Sequence, residues 1–160
     1  MSVRPIRRWG DPVLRNACAP VSHFDDALAH LVADLLDTVT AEPGRAGLAA
    51  NQIGVPLRVF SFFVNGEAGY VVNPVLSDDS GSQDGPEGCL SLPGLWFDTR
   101  RADRVTVTGV DVHGSPVRRT GTGLLARCFQ HEVDHLEGRL YIDRLEGEAR
   151  REALRAARRI

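Results

Sequence analysis

No lysine occurs in this chain of 160 residues; all 19 of its basic residues are arginine. The codon bias of a GC-rich genome accounts for that without a functional cause. Long apolar runs are absent too, and none approaches the roughly 20 residues that span a bilayer. The first nine residues carry arginines but no apolar h-region, so no secretory signal is expected and a cytoplasmic location is the default. Cysteine is scarce. Cys18, Cys89 and Cys128 are an odd count without framework spacing, which argues against a disulfide scaffold and for a reducing compartment where a thiolate can bind metal. A net charge of −2 gives no global pull toward DNA, RNA or an anionic membrane. There is no internal repeat and no linker, so residues 1–160 read as one domain, with 146–160 as an exposed terminal helix.

The chain that remains is an ordinary globular one, 42% hydrophobic and 25% charged. Gly10-Asp11-Pro12 reads as a turn. Asp25 or Asp26 can cap a helix to about Thr40, because Leu28, Leu31, Val32, Leu35, Leu36 and Val39 recur at helical spacing. Leu57 to Val64 reads as a strand, Asn65-Gly66 as a turn, and Tyr70 to Leu76 as a second strand in which Pro74 marks an edge or bulge. Ser77 to Gly85 is polar and Gly-rich, hence a loop. Val105 to Val112 reads as a half-buried strand, and Leu124 to Leu136 as a helix stopped near Gly138. Strands are grouped rather than alternating with helices. The fold class is therefore α+β.

His131-Glu132-Val133-Asp134-His135 puts two imidazoles one helical turn apart, with a carboxylate beside the first. Residues at i and i+4 share a helix face. Both imidazoles can bind one divalent metal while Glu132 handles the protons of an activated water. Chance histidine spacing on a surface helix is the plain alternative. A catalytic site of this kind needs a third protein ligand. Cys89, His113, Glu137 and a distant acid are the candidates, and Tyr141 stands where a third metzincin histidine would be. Cys89 equally suits a small buried filler.

Three separated segments, Gly47-Leu48-Ala49-Ala50-Asn51-Gln52, Glu87-Gly88-Cys89-Leu90-Ser91 and Gln130 to His135, together resemble the three signatures of the bacterial peptide deformylase family. Their order and separation match, and the likeness covers roughly residues 5–145, through Asp11 to Arg15 and Gly138 to Tyr141. The resemblance implies small antiparallel sheets packed around the helix that carries the two histidines. It implies Cys89, His131 and His135 as metal ligands and Glu132 as general base and later acid. The Gln52 amide and the Leu90 backbone N–H would meet the developing charge on the formyl oxygen. It implies removal of the N-formyl group from the formyl-methionine of new chains, with formate released. The metal would be Fe²⁺ in the cell, while Zn²⁺, Ni²⁺ or Co²⁺ suits the same donors in purified protein. Gly47 and Ala46 would face the substrate.

The chain departs from the family pattern at a few positions. Arg45 and Ala46 stand where the family commonly has glycine and a branched apolar residue. Thr99-Arg100-Arg101 replaces Val-Pro-Arg, with Arg101 expected near the substrate path. Arg127 shares the helix face of both histidines, where an apolar residue usually lines the pocket for the methionine side chain. Either Arg127 snorkels out with its stem on the substrate, or the pocket is altered for a polar side chain. The alternatives to formyl-methionine processing are a paralogue acting on another formylated peptide or metabolite, and a weakly active binding protein. The terminal helix, with Arg150, Arg151, Arg155, Arg158 and Arg159, is a solvated face or a ribosome-docking one.

Overall fold

The computed structural model describes residues 1–160. Seven strands and three helices follow in order: β1 (Gly47–Ala49), β2 (Val59–Val64), β3 (Glu67–Ser80), β4 (Pro86–Cys89), β5 (Leu92–Asp98), β6 (Arg104–Val110) and β7 (Pro116–Thr122), with α1 (Asp26–Val39) before β1 and α2 (Gly123–Leu136) and α3 (Gly147–Ala157) after β7. Five strands form an antiparallel sheet in the order β1-β2-β3-β6-β7, and β4-β5 is a separate hairpin. The α+β architecture of small antiparallel sheets around a histidine-bearing helix is as expected.

Alternation along β2 explains why a helix lies on each face of the large sheet. Phe60, Phe62 and Val64 point toward α2 and cluster with Ala126, Phe129, Val133 and Leu136. Phe62 meets Phe129 edge-on, with ring centroids 5.4 Å apart. Val59 belongs to the opposite cluster, with Leu28, Leu31, Leu35 and Val39 of α1, and Ser61 donates to the Leu35 carbonyl. Burial of Phe129 alone stabilises the fold by about 1.5–3 kcal/mol. Because α2 presents this apolar stripe to the sheet, its neighbouring face, bearing Arg127, His131 and His135, turns toward the β4-β5 hairpin.

Asp25 caps α1, its carboxylate accepting from the Leu28 N–H at 3.1 Å. Asn65-Gly66, both at positive φ, make the β2-β3 turn, and a register shift brackets Asn73 and Pro74 as a bulge. Two expectations are corrected, and two unassigned stretches prove to be strands. Ser77 to Ser80 is strand rather than loop, because β3 extends to pair with β6 as far as Arg104. Residues 92–98 and 116–122 are strands that carried no clear period in the sequence. The terminal helix is not simply exposed: Ala153 and Ala157 are fully buried against Leu92, Tyr141, Ile142 and Leu145.

Candidate metal centre

Two pieces of the chain build the centre. His131 and His135 come from α2, and Cys89 from the end of β4, where Cys89 pairs with Leu92 across a tight turn. Cys89 Sγ lies 3.3 Å from His135 Nε2, which lies 3.2 Å from His131 Nε2. All three donor atoms fall within 4.8 Å of one another. Metal–ligand bonds of about 2.0–2.3 Å at tetrahedral angles space donors by roughly 3.4–3.6 Å, so these residues fit a single divalent ion. His113 and Glu137, the other candidates for third ligand, are exposed and outside this group.

Glu87 organises the ring of charge behind His131. Its Oε2 is 2.6 Å from His131 Nδ1. It also accepts two hydrogen bonds from Arg101, at 3.0 and 2.6 Å, and one from Arg127 at 2.7 Å. Arg101 Nη1 continues to Asp134 at 2.8 Å, and Asp134 is gripped by Arg144 at 2.6 and 3.1 Å. Burial alone would push the Glu87 carboxyl up, but Arg101 and His131 hold it far below the usual carboxylate range. A carboxylate on the far nitrogen of a ligating histidine fixes its tautomer and raises its basicity.

Two expectations about arginine are therefore corrected. Arg101 is 4% exposed and bound between Glu87 and Asp134, so it stands behind His131 rather than along a substrate path. Arg127 does not snorkel out. It is 7% exposed, and its Nη1 donates to Glu87 and to the Thr99 carbonyl, each at 2.7 Å. Arg45 faces away from the centre, donating to the Thr38 carbonyl at the end of α1, as cations do at helix C-termini.

Glu132 is buried, with Oε2 4.0 Å from His131 Nε2 and Oε1 without a hydrogen-bond partner. Burial pushes its carboxyl up to about 7, although His131 opposes this. A group near neutrality is suited to take and return a proton. Burial also disfavours charge on His135, whose value falls well below the ordinary one, leaving a neutral imidazole able to ligate.

Gln52 lies beside the Cys89 sulfur. Its Oε1 accepts from the Ala49 N–H at 2.9 Å, which leaves Nε2 facing Ser91 Oγ at 3.1 Å and Cys89 Sγ at 3.8 Å. The Leu90 N–H donates to no backbone carbonyl. Gly47 sits on an edge strand, and a Cβ there would come within 2.5 Å of Glu132 Oε2 and 2.7 Å of Cys128 Sγ. The Ala46 carbonyl is taken by the Phe63 N–H and the Cys128 thiol. The arrangement suits metal-assisted hydrolysis of a small acyl group.

Glu87, Asp134, Asn51 and Ser91 carry the centre's second layer and had no assigned role from the sequence. Asn51 donates to the His135 carbonyl at 2.7 Å, and Ser91 to that of Arg7 at 2.7 Å. The one available signal was Glu87, an acid two residues from a ligating cysteine.

A family model described as polypeptide deformylase matches residues 3–151. A peptide deformylase of Acidothermus cellulolyticus is 54% identical over 99% of this chain and 87% of its own length. The crystal structure of a peptide deformylase from Legionella pneumophila superposes with a TM-score of 0.91 at 40% identity, covering 99% of this chain and 95% of that one. The peptide deformylase of Thermus thermophilus gives 0.90 at 42% identity over 98% and 94%.

Proposed function

The chain belongs to the polypeptide deformylase family, and from that premise we propose how its own residues perform the family's reaction. It is a metal-dependent hydrolase that removes the N-formyl group from the formyl-methionine of newly made proteins and releases formate. The convergence of Cys89, His131 and His135 donor atoms beside a buried Glu132 carries this reading.

Cys89, His131 and His135 would hold a divalent ion, which when bound would supply Lewis acidity and make a water a competent nucleophile near neutral pH. Glu132 would take a proton from the attacking water and return it to the departing amine, as its near-neutral carboxyl allows. The Gln52 Nε2 and the Leu90 N–H, which flank Cys89, donate to the formyl oxygen as charge builds there. Gly47 and Ala46, beside Glu132 and Cys128, offer an edge strand along which an extended peptide can lie. Arg101 acts through Glu87 on His131 and is a positioning residue.

Fe²⁺ as native ion, with Zn²⁺, Ni²⁺ or Co²⁺ as substitutes, is supported by the mixed thiolate–imidazole donor set and by the resemblance. A cytoplasmic location agrees with a chain in which no helix is long and apolar enough to cross a membrane. Ribosome docking through the C-terminal helix is supported by the arginines that follow α3: Arg158 and Arg159 are exposed and form no ion pair, whereas Arg151 and Arg155 within α3 share Glu148. Because the inner face of α3 covers the core, the test is Arg158→Glu with Arg159→Glu rather than truncation; unchanged co-sedimentation with ribosomes rejects docking.

The central experiment measures formate release from formyl-Met-Ala-Ser by anaerobically purified, iron-loaded protein, with Glu132→Ala as control. Fast release abolished by the control supports the assignment of roles. No release despite stoichiometric metal rejects formyl-methionine as the substrate.

A further inference from the structure

Four charges of alternating sign stand in line behind His131: Glu87, Arg101, Asp134 and Arg144. Glu87 meets His131 Nδ1 at 2.6 Å. Arg101 donates to Glu87 at 3.0 and 2.6 Å and to Asp134 at 2.8 Å. Arg144 closes the line, donating to Asp134 from Nε at 3.1 Å and from Nη2 at 2.6 Å. The three inner side chains are 3–5% exposed, whereas that of Arg144 is 45% exposed. Arg127 joins the line only at Glu87.

Local structure fixes the outer half. Gln130 and Asp134, four apart on α2, share a face beside the one that carries His131 and His135. Gln130 accepts from the Ala102 N–H and donates to the Ala102 carbonyl, each at 3.0 Å, which holds this face against the segment that delivers Arg101. Arg144 ends a short 3-10 turn, Tyr141–Arg144, anchored by Tyr141 and Ile142, each 1% exposed. Arg144 and Asp134 line an open cavity of about 430 Å³ with Arg100, Arg101 and Gln130. Solvent meets the network at this end.

Buried charges are weakly screened, so each link feels its neighbours. Arg101 is shared between two carboxylates, and what it gives to Asp134 it withholds from Glu87. Arg144 satisfies Asp134 from outside and so leaves more of Arg101 to Glu87. Without Arg144, Asp134 draws Arg101 outward, Glu87 is less neutralised, and its charge bears more fully on His131 Nδ1. A carboxylate at that nitrogen raises the basicity of a ligating histidine, and with it the affinity for an ion. Loss of the Asp134 charge works in the reverse sense.

We propose that Arg144, whose guanidinium hydrogen-bonds only to Asp134, is a positioning residue that restrains Glu87 through Asp134 and Arg101, so that removing its charge tightens metal binding. The inference rests on the metal-centre reading above. A residue that only props up the fold behaves otherwise, since loosening it weakens the centre.

The test measures Zn²⁺ affinity by chelator competition at neutral pH and, in metal-free protein, the NMR shift of the proton between His131 Nδ1 and Glu87. In Arg144→Met, Zn²⁺ binds about fivefold to tenfold more tightly than in the wild-type protein, and the proton moves downfield. In Asp134→Asn, Zn²⁺ binds about tenfold more weakly, and the proton moves upfield. Because Arg144 acts through Asp134, the double variant matches Asp134→Asn within about twofold. Arg144→Lys keeps the charge without the bidentate grip and stays within about twofold of the wild-type affinity. Unchanged or weaker binding in Arg144→Met overturns the proposal, as does an unmoved proton or a double variant that differs from Asp134→Asn. If Arg144→Met does not fold, the proton in Asp134→Asn decides: upfield movement sustains the proposal and no movement overturns it. A wild-type protein that takes no Zn²⁺ overturns the metal reading instead, and the proton shifts still decide the link from Arg144 to Glu87.

Discussion

Glu87 and His131 meet at 2.6 Å, carboxylate to Nδ1, so the imidazole that presents Nε2 to the metal is held from behind by an anion that two buried arginines also hold. Replacing Glu87 by Gln keeps the shape and loses the charge, and metal affinity falls about 10–100-fold. Replacing it by Ala leaves Arg101 and Arg127 short of a buried counter-ion and costs about 3–5 kcal/mol of stability. Chelator competition reads the first effect and denaturant melts the second; wild-type affinity in Glu87→Gln would remove the carboxylate from the centre's design.

Gly47 is held to glycine by contact rather than by conformation. A methyl group there would press on Glu132 Oε2 at 2.5 Å, and displacement of a catalytic group by about 1 Å can cost some 10²-fold. Gly47→Ala therefore lowers kcat on formyl-Met-Ala-Ser by that order while bound metal stays stoichiometric. A variant as active as the wild-type protein would show that Glu132 has freedom to move.

Removing the metal with a chelator abolishes formate release and lowers thermal stability. At an ion concentration about 100 times Kd, binding contributes about 2.7 kcal/mol, which corresponds to roughly 5–10 °C in Tm for a chain of this size. Scanning calorimetry with and without chelator measures it. An unchanged Tm would mean that the triad binds too weakly to be a resident site.

Asp34 supplies a pH-dependent share of stability. Burial raises its carboxyl, but the Ser2 N–H at 2.7 Å, the Met1 ammonium at 3.2 Å and Arg4 at 3.1 Å overcome this and hold it below the ordinary 3.8. A depressed folded-state value gives stability that is present above pH ~4 and lost as pH falls through that value. Asp34→Asn is thus less stable than the wild-type protein at pH 7, and the difference narrows below pH ~4. A gap that stays constant with pH would show that the charge is irrelevant.

The sequence was legible where chemistry repeats locally. The spacing from Leu28 to Val39 announced α1, and two histidines one turn apart announced α2 as a ligand-bearing helix. Cys89 as third ligand required the resemblance, since it lies 42 residues before His131 in the chain. The arginine network was illegible because its pairs join residues 10 to 40 apart, such as Asp134 with Arg144 and Glu87 with Arg101 and with Arg127. Charges at such separations leave no period, and an arginine expected at a surface or pocket was drawn inward by an acid that its own position did not reveal. β5 and β7 were missed for a related reason. Their exposed, polar or glycine-bearing positions lack a clean apolar alternation, and pairing with neighbours decides their state.

The β4-β5 hairpin has two strands, which is too few to hold shape by itself in water. It borrows rigidity from α3 on one side, through Leu92, and from α2 on the other, through Glu87 and Cys89. Once an ion bridges Cys89 to the helix, it becomes a rivet between two walls that otherwise touch mainly through charged side chains. Loss of that ion would then loosen as well as inactivate, and amide hydrogens of β4 and β5 would exchange sooner than those of the five-stranded sheet. Ageing of such an enzyme would begin as a mechanical failure at one seam.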